Sequence, residues 1–564
     1  MIGVLSSDDE ARAVEEFFQL FKTPWEFWAP HNNYDLVIAT REEIPHDVSA
    51  NALLIYHSHA IGFDDQIGVV TESPKECGWL EWQGVDFPVY GNLMAFQSNG
   101  RPLIRSKQTS EVVGSAIAGS ERPTVRIGFD LFSEVAFLLT HGQPAENARF
   151  ATLDIHISLL RAIMRSLEVP FVEVPPVPYG YDFMACLTHD VDFVGVRDHK
   201  WDHTMWGFLY RSSVGSFLNA LAGRLPWSKC LQNWTAALSL PLVHLGFRED
   251  FWLEFDRYRE IEKKFGSTFF FLPFKDVAGT LGSTSAPKRR AAKYELAGIK
   301  EQIAELLENG CEVGLHGIDA WQNVQSAQIE RSRICELTAQ SDLGARMHWL
   351  YWTESSPKTL EDAGLTYDST FGYNDAVGFR AGTAQPFCPL SAKRLLELPL
   401  NIQDSAMFYS GRMMLSEAEA LNTCRDLIHT MYLSGGALTV NWHTRSLSPE
   451  RLWGDFYTEL LREIQKYHVW FGTAQEIVRW FRERRALRFD SVHFEENGVR
   501  VALSSPIGSS EPPLTVRSHD PRVVADKRGF SGCEPLHMEN QWKGEEVLEI
   551  TYSELTGTSN STCA

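Results

Sequence analysis

The sequence predicts an α/β protein with a (β/α) barrel at its centre, preceded by an α/β domain and followed by a small β-rich appendage. Three observations predict it. From about residue 180 to 485, short apolar runs alternate with amphipathic stretches, the pattern of βα units that build a parallel sheet. Several of those runs end in polar residues: Asp190 and Asp192, His316, Arg346 and His348, Asn441 and His443. Polar side chains gathered at the C-terminal ends of parallel strands are what a barrel's active face looks like in sequence. Beyond residue 487 the pattern changes to short alternating runs, as half-buried antiparallel strands require.

In chain order, residues 34–39 and 52–56 read as buried strands, 129–132 open an amphipathic helix, and 153–166 form a second. His57 and His59 alternate at a strand end beside Asp64 and Asp65 and could bind metal. No third ligand is placed, and loop histidines next to acids are common. Four prolines between 170 and 178 mark a rigid extended connector and a candidate boundary. The expected domains are therefore 1–178 (α/β extension), 179–486 (barrel), 487–555 (β-rich domain) and 556–564 (a disordered tail).

The central region opens with an apolar strand, 183–187, that runs into Thr188-His189-Asp190-Val191-Asp192. Alternation puts Asp190 and Asp192 on one face and His189 and Val191 on the other. Adjacent carboxylates repel, so they persist where a cation, a shared proton or solvent relieves the repulsion. The aromatic-rich stretch 201–251 reads as a lid, a sugar-stacking or membrane-surface element, or, most commonly for such stretches, a helical pair covering its own core. A helix at 250–265, an apolar strand at 267–273 and a long loop at 275–293 follow. The loop's Lys288-Arg289-Arg290 would meet either an anionic substrate or solvent. The helix 295–309 stops at Gly310 and leads into strand 311–317. Residues 346–350 and 437–443 read as strands that put Arg346 with His348, and Asn441 with His443, on single faces; a helix near 357–363 and the run 396–400 leading to Asp404 lie between. Strand 468–473 and helix 475–485, whose basic end suits its dipole, close the region.

Composition excludes several classes. Lys and Arg number 52 against 73 Asp and Glu, a net charge of −21, which argues against nonspecific attraction of the whole molecule to nucleic acid or anionic membrane. The nine cysteines are scattered without CxxC pairs, so neither a zinc ribbon nor a disulfide framework is expected. The N-terminus lacks a basic, apolar leader, and no run reaches the ~18 apolar residues of a membrane span, so the expected location is cytoplasmic with no transmembrane segment.

At Thr188–Asp192, Gly314-Leu315-His316-Gly317, Arg346, residues 378–383 and Trp442-His443 the chain resembles the polysaccharide deacetylase (NodB-homology) family, in its Asp-x-Asp branch. The resemblance spans about residues 180–485; the region around 129–133 is similar, more weakly, to the N-terminal extension of some bacterial members. It implies a distorted (β/α) barrel and metal-dependent removal of acetyl groups from N-acetylated sugars, with zinc the expected metal and a carbohydrate the expected partner. Carried over residue by residue, Asp190 is the general base, Asp192 and His316 are metal ligands, Arg346 orients the base and His443 is the general acid. This sequence departs from the family four residues after His316, where Ala320 replaces the second histidine. Asp319 or His348 could supply the third ligand, since carboxylate and imidazole both suit zinc; His348 is favoured because it too lies at a strand end. Two other readings stand beside this one: a non-catalytic carbohydrate-binding or scaffold relative, and a glycosidase pairing Asp190 with Asp368 or Asp404.

Overall fold

A computed structural model describes residues 1–223, 225–253, 255–506, 508, 510–521 and 537–551. The expected tail at 556–564 lies outside the described residues. The chain forms two compact units: Met1–Tyr181 with Ala381–Thr383 and Arg479–Ala564, and Asp182–Arg380 with Ala384–Val478.

The first unit is built on a nine-stranded sheet whose parallel part contains Ile2–Leu5, Tyr34–Ala39, Ala50–Tyr56 and Thr124–Ile127. Residues 36–39 and 52–56 are buried, which is why both strands read as continuous apolar runs rather than alternating ones. Helices Leu131–Thr140 and Thr152–Ser166 belong to the same unit. Its C-terminal part holds the antiparallel strands Arg488–Glu495, Gly498–Ser504 and Val547–Thr551. Strand Leu514–His519 pairs with Met538–Trp542 on one side and with Phe171–Glu173 on the other. The proline-bracketed stretch is thus more than a connector: its non-proline residues 171–173 supply an edge strand, where flanking prolines are tolerated. Arg484, fully buried, donates to the carbonyls of Gln19, Leu20, Val174 and Pro175.

In the second unit we number the strands of the main sheet β1 (Phe183–Val191), β2 (Ser267–Phe271), β3 (Glu312–Gly317), β4 (Gly344–Met347), β5 (Tyr367–Asp368), β6 (Leu396–Glu397), β7 (Ile402–Gln403), β8 (Ala437–Asn441) and β9 (Val469–Phe471). All neighbours are parallel, in the order β6-β5-β4-β3-β2-β1-β8-β7, with β9 also pairing β1. The two edges, β6 and β7, are consecutive in sequence and separated only by residues 398–401. So short a link reaches about 15 Å at most, so the sheet has to curl until its edges approach. The link bonds to both sides: Leu398 N–H donates to the Asp368 carbonyl at 2.8 Å and Asn401 N–H to the Thr439 carbonyl at 3.1 Å. The result is the curled, distorted barrel the sequence predicts.

All nine residues of β1 are buried, so it is the central strand of the curl. His189 points away from the active face. Its Nδ1 meets the Trp442 carbonyl at 2.8 Å and its Nε2 meets Glu262 at 3.2 Å. Several predicted elements differ in extent, three of them near the site or its cover. β4 ends at Met347, and His348–Leu350 form a tight turn in which Trp349 and Leu350 take positive φ (63° and 53°), so His348 is not on an extended strand. Strand β8 stops at Asn441, before His443. The helix expected at 250–265 covers Phe255–Ile261. Helices His203–Tyr210 and Trp227–His244 do cover a core of their own, with Val196, Met205, Phe208, Leu240 and Trp252 buried between them.

Candidate metal and catalytic site

The C-terminal ends of β1, β3, β4, β7 and β8 bring the predicted side chains together. Asp190 and Asp192 leave the end of β1, His316 sits in β3, Arg346 in β4 and His348 just past it, Asp404 just past β7, and Asn441 and His443 at and beyond the end of β8. Two substructures result.

The first is a triangle of donor atoms. His316 Nε2 lies 2.9 Å from His348 Nδ1, and Asp192 Oδ1 lies 3.3 Å and 3.2 Å from those two nitrogens. The far side of each ring fixes its tautomer. His316 Nδ1 is 2.9 Å from the Arg346 carbonyl and His348 Nε2 is 3.0 Å from the Arg290 carbonyl. A carbonyl only accepts, so each of those nitrogens carries the ring proton and donates. The facing nitrogens are then both lone pairs, and the third corner is a carboxylate oxygen, buried and without a hydrogen-bond donor among the described residues. Three acceptors within 3.3 Å repel unless positive charge sits among them. The cluster therefore favours a cation, and its size fits one: tetrahedral donors about 2.0–2.1 Å from a zinc ion lie about 3.3 Å apart. Carbonyls holding the outer ring nitrogens are also the usual support for metal-binding histidines.

This geometry distinguishes the two candidates for the position Ala320 leaves. Among the described residues, Asp192, His316 and His348 form the one group of potential ligands converging in this way. Asp319 is turned elsewhere, its Oδ1 accepting from Thr280 N–H and the Gln322 amide, both at 2.9 Å. The left-handed turn at Trp349 and Leu350 follows His348 directly, and Arg290, buried beneath, donates to the carbonyls of Ala278, Ile318 and His348. His57 and His59 make no such group; His57 Nδ1 bonds to the backbone of His59.

The second substructure flanks the first. Asp190 Oδ1 is 3.1 Å from Arg346 Nη1, and its Oδ2 accepts from Asn441 Nδ2 at 2.8 Å. Burial works to raise the Asp190 carboxyl, but the Arg346 guanidinium, with His443 across the site, outweighs it and leaves the group lowered. Arg346 is held in turn by the Thr188 hydroxyl at 2.7 Å and by Ser369, through its carbonyl and hydroxyl oxygens. Across the site, His443 Nδ1 donates to Asp404 Oδ1 at 2.6 Å and its Nε2 lies 3.9 Å from Asp192 Oδ2. Burial pulls the His443 imidazolium down, yet Asp404, then Asp192 and Asp190, carry it up to about 10. A lowered carboxylate and a raised imidazolium on either side of a metal-sized triangle can take a proton at one point and give one at another.

Asp404 and Asn441 carry this arrangement without having been singled out for these roles. Asp404 is 39 residues from His443, and only the adjacency of β7 and β8 joins them. Asp404 Oδ2 accepts from His443 N–H and the Ser446 hydroxyl, so both its oxygens are engaged. Asp368 ends β5 and is fully buried. It accepts from Ser369 N–H and the Thr370 hydroxyl, and burial raises it to about 6 beside Glu397. Asp404 has both oxygens engaged, and Asp368, whose Oδ2 has no hydrogen-bond partner among the described residues, is fully buried rather than open to a substrate.

No protein-family profile and no curated protein sequence matches the chain. Solved structures do. The resemblance is to carbohydrate and polysaccharide deacetylases. A putative polysaccharide deacetylase from Mycobacterium smegmatis is 19% identical over 55% of this chain and 93% of its own, with a TM-score of 0.35. The carbohydrate deacetylase Agd3 is 9% identical over 98% of both chains, TM-score 0.38. Puue allantoinase is 12% identical over 54% of this chain and 92% of its own, TM-score 0.32. At these values the functional reading rests on the site's own geometry.

Proposed function

We propose that this protein is a metal-dependent hydrolase that removes an acetyl group from an N-acetylated sugar or glycan precursor. The observation that carries the reading is the tautomer-locked triangle of Asp192, His316 and His348, flanked by an ionised Asp190 and a protonated His443. In it Asp192, His316 and His348 hold a divalent ion, with zinc the best match to an N/N/O donor set. When bound, such an ion lowers the pKa of water and polarises an acyl oxygen.

The chain's own residues do the rest. Asp190, kept ionised by Arg346 and aimed by Asn441, accepts the proton of the attacking water. His443, kept protonated by Asp404, donates its Nε2 proton to the amine nitrogen as the C–N bond breaks. Acetate and a free amine leave, and one proton has moved from water to nitrogen by way of the two groups. Among the described residues no helix is long and apolar enough to cross a membrane.

The test is acetate release from a panel of N-acetylated sugars with and without added zinc. Metal-dependent acetate with no new reducing ends supports the reading; new reducing ends support a glycosidase, and one bound metal without any turnover supports a binding protein.

A further inference from the structure

The cavity that opens onto the metal triangle has a lining at odds with the rest of the molecule. It has a volume of about 330 Å³ and is bordered by Asp192 and His348 at its base and by five arginines, Arg211, Arg289, Arg290, Arg445 and Arg451. The chain as a whole carries −21, and Asp192 is the only acidic residue on this lining.

Arginines in a folded protein are normally paired, and here one of the five is. Arg445 meets Glu450 at 2.8 Å and stacks on Trp252 with its guanidinium 3.9 Å from the ring centre. Among the described residues Arg211, Arg289 and Arg451 have no carboxylate within ion-pair distance. Arg289 and Arg451 are instead held against aromatic faces, Arg289 over Trp349 at 5.4 Å and Arg451 over Tyr409 and Trp453 at 4.5 and 5.1 Å. Arg211 has a buried Nε with no hydrogen-bond partner. Burial, then the charges of Arg451 and Arg445, pull its guanidinium down to about 10. Aromatic walls orient a guanidinium without neutralising it, so its donors stay available. Arg289 is exposed and Arg211 and Arg451 are half-buried; like charges gathered around one concavity repel one another, and an anionic ligand relieves them.

We propose that this cavity binds a phosphate or diphosphate group carried by the substrate, held beside the Asp192–His316–His348 cluster. This deepens the deacetylase reading and rests on it for the word substrate, though not for the anion site. A carboxylate would answer one of the unpaired guanidiniums; a phosphate or diphosphate, with more charge and more acceptor oxygens, answers several through forked contacts. The group could arrive on a soluble sugar phosphate or on a lipid. Helix His203–Tyr210 lends His203 and Thr204 to the cavity and exposes Trp206 (55%) and Tyr210 (59%) on the outside.

The experiment is calorimetric titration of the full chain with inorganic diphosphate, metal-loaded and after chelation, together with sedimentation on phosphatidylglycerol and phosphatidylcholine vesicles. Expected is diphosphate binding that survives chelation, weakens with added salt, and falls about tenfold or more in Arg289→Gln and again in Arg451→Gln. Arg→Lys at the same positions restores part of it, because charge returns without the fork. Binding confined to phosphatidylglycerol vesicles and lost in the same variants assigns the anion to a lipid headgroup and keeps the proposal. Binding of neither probe, or binding unchanged in both Gln variants, overturns it. Absence of bound metal alongside intact diphosphate binding would instead sink the hydrolase reading and leave the anion site standing.

Discussion

Replacing His348 by alanine removes one corner of the triangle, and its effect can be worked from the geometry. The three donor atoms lie 2.9–3.3 Å from one another, close enough for each to give a full ligand bond to an ion held among them rather than act as a distant charge. Four-ligand zinc sites bind with roughly 10–16 kcal/mol, or about 2.5–4 kcal/mol per ligand. Losing one ligand then weakens zinc binding about 10²–10³-fold, at ~1.4 kcal/mol per factor of ten. Asp319→Ala removes a carboxylate a few residues from His316 that already serves Thr280 and Gln322, and it should change affinity by less than about threefold. The assay is competition for zinc between the full chain and a chromogenic chelator. His348→Asp, which returns an oxygen ligand, separates loss of a ligand from loss of fold by regaining part of the affinity. Wild-type affinity in His348→Ala, or a large loss in Asp319→Ala, would refute the assignment.

Other expectations follow from the flanking groups. Asp190→Asn abolishes acetate release and keeps the metal, whereas Asp192→Asn loses both; elemental analysis beside turnover separates them. His443 donates only while protonated, so activity falls as pH rises through its pKa, carried up to about 10 by the surrounding carboxylates. Asp404→Asn removes the strongest of those charges, so the alkaline limb of the pH–rate profile moves to lower pH, and an unmoved limb would show that another group is the acid. In the first unit, Arg484→Ala leaves the carbonyls of residues 19, 20, 174 and 175 without their buried donor, and urea unfolding should show a loss of about 3 kcal/mol or more.

Much of this arrangement can be read from sequence because strand chemistry is local. The period of two puts Asp190 and Asp192 on one face and His189 on the other, and the structure keeps that division. His348 reaches the site for a reason the period does not supply: the strand ends at Met347, and a left-handed turn at Trp349 and Leu350 follows. The support of the site is less legible still. Both ring protons are held by main-chain carbonyls, of Arg346 and Arg290, and a carbonyl has no residue code. The Asp404–His443 pair depends on β7 lying beside β8, which in turn depends on a sheet whose edge strands are consecutive in sequence. The pairing of Phe171–Glu173 with Leu514–His519, in which Phe171 lies opposite His519, 348 residues away, leaves no local trace either. Asp319 looked available because spacing counts residues and not the Thr280 N–H that claims its oxygen.

The most direct measurement is metal content and product together: elemental analysis of the full chain, then acetate release after chelation and stepwise return of zinc. One divalent ion per chain, held by Asp192, His316 and His348, is expected, with acetate that rises in step with bound metal and no new reducing ends. A chain that takes up no divalent ion, or one that releases reducing sugar in place of acetate, contradicts this expectation.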